Sequence, residues 1–199
     1  MRTPKENILA IAQQNQQRAW EIIKETDIMA VWRGIGAEIN LVGSLKSGLL
    51  MKNRDIDFHI YSDPVIVSDS FLAITRLSDH PAVKHIEYRN LLDTEEACLE
   101  WHIRYEDKGG DMWKFDLIHI QKGSAFDGYM EQVTQRVIDT LTPETKLAIL
   151  QLKYDIPETD QVMGIEVYRA VLEGNVRSYS GFQEWRKKNP VTGVLKWMP

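Results

Sequence analysis

Two runs decide how this chain is read: Ile39-Asn40-Leu41-Val42-Gly43-Ser44 and, after ten residues (Leu45 to Arg54), Asp55-Ile56-Asp57-Phe58-His59-Ile60-Tyr61. The first ends a short apolar stretch of the kind a buried strand makes, and the second reads as another strand opened by two aspartates. Alternate side chains on a strand share a face about 7 Å apart, so Asp55 and Asp57 converge on one small volume. Two carboxylates so placed repel unless a cation lies between them, and magnesium with substrate phosphates is the usual solution for oxygen-only ligand sets. A third carboxylate, Asp116, follows in a similar setting, Trp113-Lys114-Phe115-Asp116-Leu117-Ile118. Such a trio points to a two-metal phosphoryl-transfer site.

Each piece also has a plainer reading. Asp-Ile-Asp alone fits a turn or a strand end. Gly43 removes a side chain where backbone must approach a phosphate, and Ser44 offers an amide and a hydroxyl at a helix start, which suits an anion. A serine N-cap after a tight turn is the compatible alternative. A Walker-type loop fails, because Gly43 and Gly48 are followed by Leu49-Leu50 in place of the Lys-Ser/Thr pair. An EF-hand fails too, for want of its glycine and distal glutamate.

Taken together, Val42-Gly43-Ser44, Asp55-Ile56-Asp57-Phe58 and Phe115-Asp116-Leu117 resemble the signature of the polymerase-beta-type nucleotidyltransferase superfamily. The resemblance covers roughly residues 30 to 120. It implies a magnesium-dependent enzyme that moves a nucleoside monophosphate from a nucleoside triphosphate to an acceptor and releases pyrophosphate. It further implies that Asp55, Asp57 and Asp116 hold two Mg2+ ions, with Asp116 on the acceptor side helping to deprotonate the acceptor. Gly43 and Ser44 would meet the nucleotide phosphates. Lys46, Lys52 and Arg54 lie between the serine and the first aspartate; each reads as a solvated loop cation or as an offset to triphosphate charge, and Lys46 is the candidate beside Gly43 and Ser44.

Strand alternation places Lys114 on the Asp116 face, where it supports a carboxylate or touches phosphate. His59 shares the Asp55/Asp57 face one pleat farther, which suits packing or support better than ligation. His102 and Arg104 share one face of their strand while Trp101, Ile103 and Tyr105 share the other, and no sequence rule says which is core. The six tryptophans read as large core residues, and Cys98 as a small buried hydrophobe.

Composition narrows the partners. A formal net charge of -5, from 24 basic and 29 acidic residues, argues against a nucleic-acid acceptor, because such binding draws on neutralised phosphates. Arg186-Lys187-Lys188 is short and reads as a solvated helix end. The acceptor is therefore expected to be a small molecule. Size, acidic balance and a helical tail resemble the antibiotic-modifying members of the superfamily. Two alternatives stay open: a non-catalytic or antitoxin-like regulatory relative, which loss of a carboxylate would favour, and a protein-modifying nucleotidyltransferase. No apolar stretch is long enough to span a bilayer, no signal-peptide pattern is present, and one cysteine excludes an internal disulfide framework; residence in the cytoplasm is expected.

The apolar periodicity predicts an α+β chain: a mixed-sheet catalytic core over residues 1–122 and a helical region over 123–199 packed on it. Helices are expected over 4–25, 28–33, 45–51 and 69–77, then near 127–140, 143–153, 163–173 and 180–188. Strands are expected over 38–42, 55–61 and 83–89, followed by a hairpin of 97–105 and 112–120 turning through Gly109-Gly110. Thr3-Pro4-Lys5-Glu6 resembles a capping box at the first helix.

Overall fold

The computed structural model describes residues 4–191 and 197–199. Thr3, the capping residue expected for the first helix, lies outside them. Helix α1 (Pro4–Thr26) and a short α2 (Ile28–Arg33) lead into β1 (Glu38–Val42), a single turn α3 (Gly43–Lys46), and β2 (Asp55–Ser62). Next come α4 (Val67–Ser78), β3 (Val83–Asn90) and the hairpin of β4 (Cys98–Glu106) with β5 (Met112–Gln121). Four helices close the chain: α5 (Tyr129–Thr140), α6 (Pro143–Asp155), α7 (Gly164–Leu172) and α8 (Tyr179–Lys188).

The five strands form one mixed sheet in the order β1-β2-β5-β4-β3. The β2–β5 pair is parallel and the others are antiparallel. One face is apolar throughout, with Ile56, Phe58 and Ile60 from β2, Phe115 and Leu117 from β5, and Trp101, Ile103 and Tyr105 from β4. That settles the hairpin: the aromatic face is core, and His102 and Arg104 point the other way. Ala19 and Ile22 of α1, Trp32 of α2, and Ile74 and Leu77 of α4 cover this face. The hairpin turn is tied by the buried Asp107, whose carboxylate accepts hydrogen bonds from the amides of Gly109 and Asp111, from Trp113 Nε1, and from Arg18.

A second apolar cluster joins α5 to α8 through Val137, Ile149, Leu150, Val171 and Phe182. Ile8 and Ala12, from the first half of α1, and Leu49 and Met51 belong to it as well. The two clusters therefore share α1, one half each. Two local expectations are corrected. The helix expected over 45–51 is only the turn Gly43–Lys46; Leu49, Leu50 and Met51 are buried outside any helix or strand. The Arg186-Lys187-Lys188 run does close a helix, but Arg186 is held by the buried Glu166 at 3.1 Å instead of pointing into water.

Phe58 is fully buried at the centre of the sheet core. Phe58→Ala is expected to cost about 3–5 kcal/mol, because the packed surroundings cannot collapse around the void. Equilibrium denaturation in urea measures it.

Candidate active site

Alternation along β2 sends Ile56 and Phe58 into the core and Asp55, Asp57 and His59 to the opposite face. Parallel pairing then places Asp57 directly beside Asp116 and Asp55 beside Lys114. One strand farther, Asp116 neighbours His102 and Lys114 neighbours Arg104. The polar face of the sheet thus carries two rows, Asp57-Asp116-His102 and Asp55-Lys114-Arg104.

On the other side, Val42 at the end of β1 pairs with Asp57, so the chain turns into α3 against that carboxylate. Gly43 makes the turn at φ +69°, and a Cβ there would lie 2.3 Å from Asp57 Oδ2. Only glycine fits, on both counts. Its amide donates to Thr134 Oγ1 (3.2 Å), and Ser47 Oγ donates to its carbonyl (2.9 Å). The Gly43 amide is therefore engaged by α5, which leaves Ser44, half-buried on the cleft wall, as the donor of this turn.

Electrostatics separate the carboxylates. Burial, then the charges of Asp116 and Asp55, push Asp57 up to about 7. Burial and Asp116 raise Asp55 as well. Burial also acts upward on Asp116, but hydrogen bonds from His102 Nδ1 (2.5 Å) and Lys114 Nζ (2.8 Å), both on Oδ1, bring it below the usual carboxylate range. The three acids offer hard oxygen donors and a mutual repulsion that a divalent cation would relieve. Among the described residues, no three His, Cys, Asp or Glu side chains form a ready-made metal cluster. Lys114 and His102 hold Asp116 in place.

Asp55, Asp57, Asp116, Lys114 and Arg104 floor a cleft of about 1490 Å3 whose walls come from α5, α6, α7 and α8. Lys46 is exposed and is not among the residues that line this cleft. Lys52 donates to the carbonyls of Tyr154 and Ile156 at the end of α6, and Arg54 pairs with Asp111 at 2.9 Å. His59 is buried, 3.4 Å from the Tyr61 hydroxyl, which itself donates to Glu131 (2.8 Å).

A further cation near the carboxylates, besides Lys114, is Lys153 from α6. It is buried, donates to the Leu49 carbonyl at 2.9 Å, and is pulled down to about 8 by burial, with Asp57 and Asp55 acting the other way. The Tyr168 ring lies beside it, 5.7 Å from Nζ to centroid. A sequence signal for Lys153 existed: it falls three and four residues after Leu150 and Ile149, on the apolar face of its helix, where a lysine is out of place.

No family model matches the chain, and no curated protein matches its sequence. Solved structures do match. A cytoplasmic RNA terminal U-transferase aligns over 80% of this chain and 51% of its own, with TM-score 0.53 and 14% identity. The non-canonical poly(A) polymerase complex GLD-2–GLD-3 aligns over 89% and 61%, with TM-score 0.55 and 11% identity. Cid1, described by its RNA terminal uridylyl transferase activity, aligns over 84% and 54%, with TM-score 0.57 and 15% identity. The chain shares the α+β fold of these structures. It spans half to three-fifths of the length of those three chains. None of its described helices is long and apolar enough to cross a membrane.

Gly43→Ala should drive the new methyl into Asp57 and strain a positive-φ turn, lowering the melting temperature. Calorimetry of the two proteins checks this. The carboxylate shifts also set a pH signature. An acid raised from 3.8 to about 7 holds its proton more tightly when folded, so stability of the metal-free protein falls as pH rises through about 4–7. Lys153, lowered from 10.5 to about 8, acts oppositely, and stability recovers between those values. Thermal melts from pH 5 to 7.5 should therefore show a decline that Asp57→Asn flattens.

Proposed function

We propose that this chain is a magnesium-dependent nucleotidyltransferase. The observation that carries the reading is the in-register pairing of Asp57 with Asp116 on parallel neighbouring strands, with glycine pressed against Asp57. Asp55, Asp57 and Asp116 would hold the metal. When bound, magnesium supplies charge stabilisation to the entering and leaving oxygens of phosphoryl transfer. The Ser44 turn and Lys153 receive the triphosphate of the donor, Lys153 taking the role first given to Lys46. An acceptor oxygen attacks the α-phosphorus, the bond to the bridging oxygen breaks, and pyrophosphate departs. Asp116 lies on the side of Asp57 away from Gly43, within the face open to the acceptor, and receives the acceptor proton. Lys114 and His102 keep its carboxylate oriented for that role.

The acceptor favoured by the charge balance is a small hydroxyl compound. The named neighbours act on RNA, which bears against ruling nucleic acid out, and the 3′-hydroxyl of an RNA is the second reading. Retention of all three carboxylates is the reason to place a catalytic protein ahead of a regulatory relative.

Asp57→Asn should abolish magnesium-dependent triphosphate binding and transfer of label from the α-phosphate, while the metal-free melting temperature holds or rises as repulsion is relieved. Lys153→Met should weaken triphosphate binding about tenfold or more, since a charged contact to phosphate is worth about 1.5–3 kcal/mol. Unaltered magnesium-dependent binding in both variants would show the cluster to be structural.

A further inference from the structure

The cations that line the cleft are almost all engaged. Arg54 is held by Asp111, Lys114 by Asp116, Arg186 by Glu166 and Lys187 by Glu184, while Lys52 and Lys153 donate to backbone carbonyls. Arg104 differs. It lines the cleft, is exposed, and among the described residues makes no hydrogen bond or ion pair to the protein, its charge acting on Asp55 only across space. Its position is fixed by register: Arg104 on β4 neighbours Lys114 on β5, which neighbours Asp55 on β2. Neighbouring strands lie about 4.8 Å apart, so its Cα stands about 10 Å from that of Asp55, on the side of Asp116 away from Gly43 and Ser44. A long guanidinium reaches back over that gap.

We infer that Arg104 is a specificity-determining residue that binds one phosphate group of the acceptor. The inference rests on the nucleotidyl-transfer reading for the word acceptor, and on the sheet alone for the anion. Arginine suits the role because its planar fork meets two phosphate oxygens at once. The acceptor it selects is a compound that carries a phosphate beside its free hydroxyl, as a nucleotide or a sugar phosphate does. The surrounding charges limit the contact to one phosphate. Beyond Arg104 on the sheet, Arg89 is paired with Glu100 at 3.1 Å and Lys84 with Glu106 at 3.5 Å. Cations neutralised in this way do not make a track for a polyphosphate backbone. The salt response separates the two cases. Between 50 and 200 mM salt, one phosphate contact loses about threefold in affinity, whereas six would lose a few hundredfold.

The test titrates ribonucleoside 5′-monophosphates, the same ribonucleosides without phosphate, and a 20-nucleotide single-stranded RNA into the full chain. Magnesium and an α,β-methylene triphosphate are present at saturation to fill the donor pocket. The wild type should prefer the monophosphate over the nucleoside about ten- to hundredfold, with the shallow salt dependence. Arg104→Ala should erase that preference while leaving nucleoside affinity and melting temperature unchanged, and Arg104→Lys should restore part of it. In turnover the loss should fall on KM for the phosphorylated acceptor and not on kcat. Equal affinity for nucleoside and monophosphate in the wild type, or a preference that survives Arg104→Ala, overturns the assignment. Tight, steeply salt-dependent binding of the 20-nucleotide RNA overturns the single-phosphate limit. Failure of the triphosphate analogue to bind would sink the nucleotidyl-transfer reading, and the same titration without the analogue still decides whether Arg104 takes a phosphate.

Discussion

The parallel pairing of β2 with β5 is the constraint on which the rest of this molecule depends. Strands of a parallel pair cannot be joined by a tight turn, so a long connection must leave the top of one and return to the bottom of the other. Here that connection contains α4, β3 and β4, and it brings α4 across the apolar face on the way. Alternation then does two jobs with one backbone. Phe58, Phe115 and Leu117 build the core on one side, while Asp57 and Asp116 meet on the other. A slip of one residue in either strand would bury a carboxylate and expose an aromatic ring, so the apolar core enforces the register of the acids.

That register brings like charges together, and the protein manages them unequally. Asp116 is compensated by Lys114 and His102 and stays ionised readily. Asp57 has the buried Lys153 in its field, but no hydrogen-bonding cation, and is pushed up to about 7. The asymmetry suits a division of labour in which Asp57 responds to a cation and Asp116 holds its orientation without one. Lys153 brings a buried positive charge from the helical C-terminal part to the polar face of the sheet, and α6 is anchored for it by a Thr142–Thr145 capping box and by Ile149, Leu150 and Leu152. The helical half thus shapes the cleft and supplies its deepest cation.

Much of this was legible in the chain. The strands around Gly43 and the three aspartates, their shared face, and the order of the helices follow from local signals: alternation, turn glycines and capping residues act over a few positions and need no partner. Asp55, Asp57 and Asp116 are recognisable because three short acidic strand motifs after a Gly-Ser turn are seldom arranged this way by packing alone. Which hairpin face is core, by contrast, was open, since Trp101, Ile103 and Tyr105 and the His102/Arg104 pair alternate with equal regularity. Lys46 was favoured because it is near in sequence, yet α3 is a single turn and carries it outward to solvent.

Sequence by itself determined the periodicities, the turn at Gly43 and the identity of the acids, because these depend on neighbours along the chain. Tertiary structure alone decided that Lys153 lies near them and that Arg104 makes no hydrogen bond or ion pair among the described residues. Lys153 lies about a hundred positions from Asp55 and reaches it only through helix packing, and Arg104 is singled out only after every other cleft cation has found its partner. Charge compensation is a property of distances through space, and spacing along a chain does not encode it until the sheet order β1-β2-β5-β4-β3 is set.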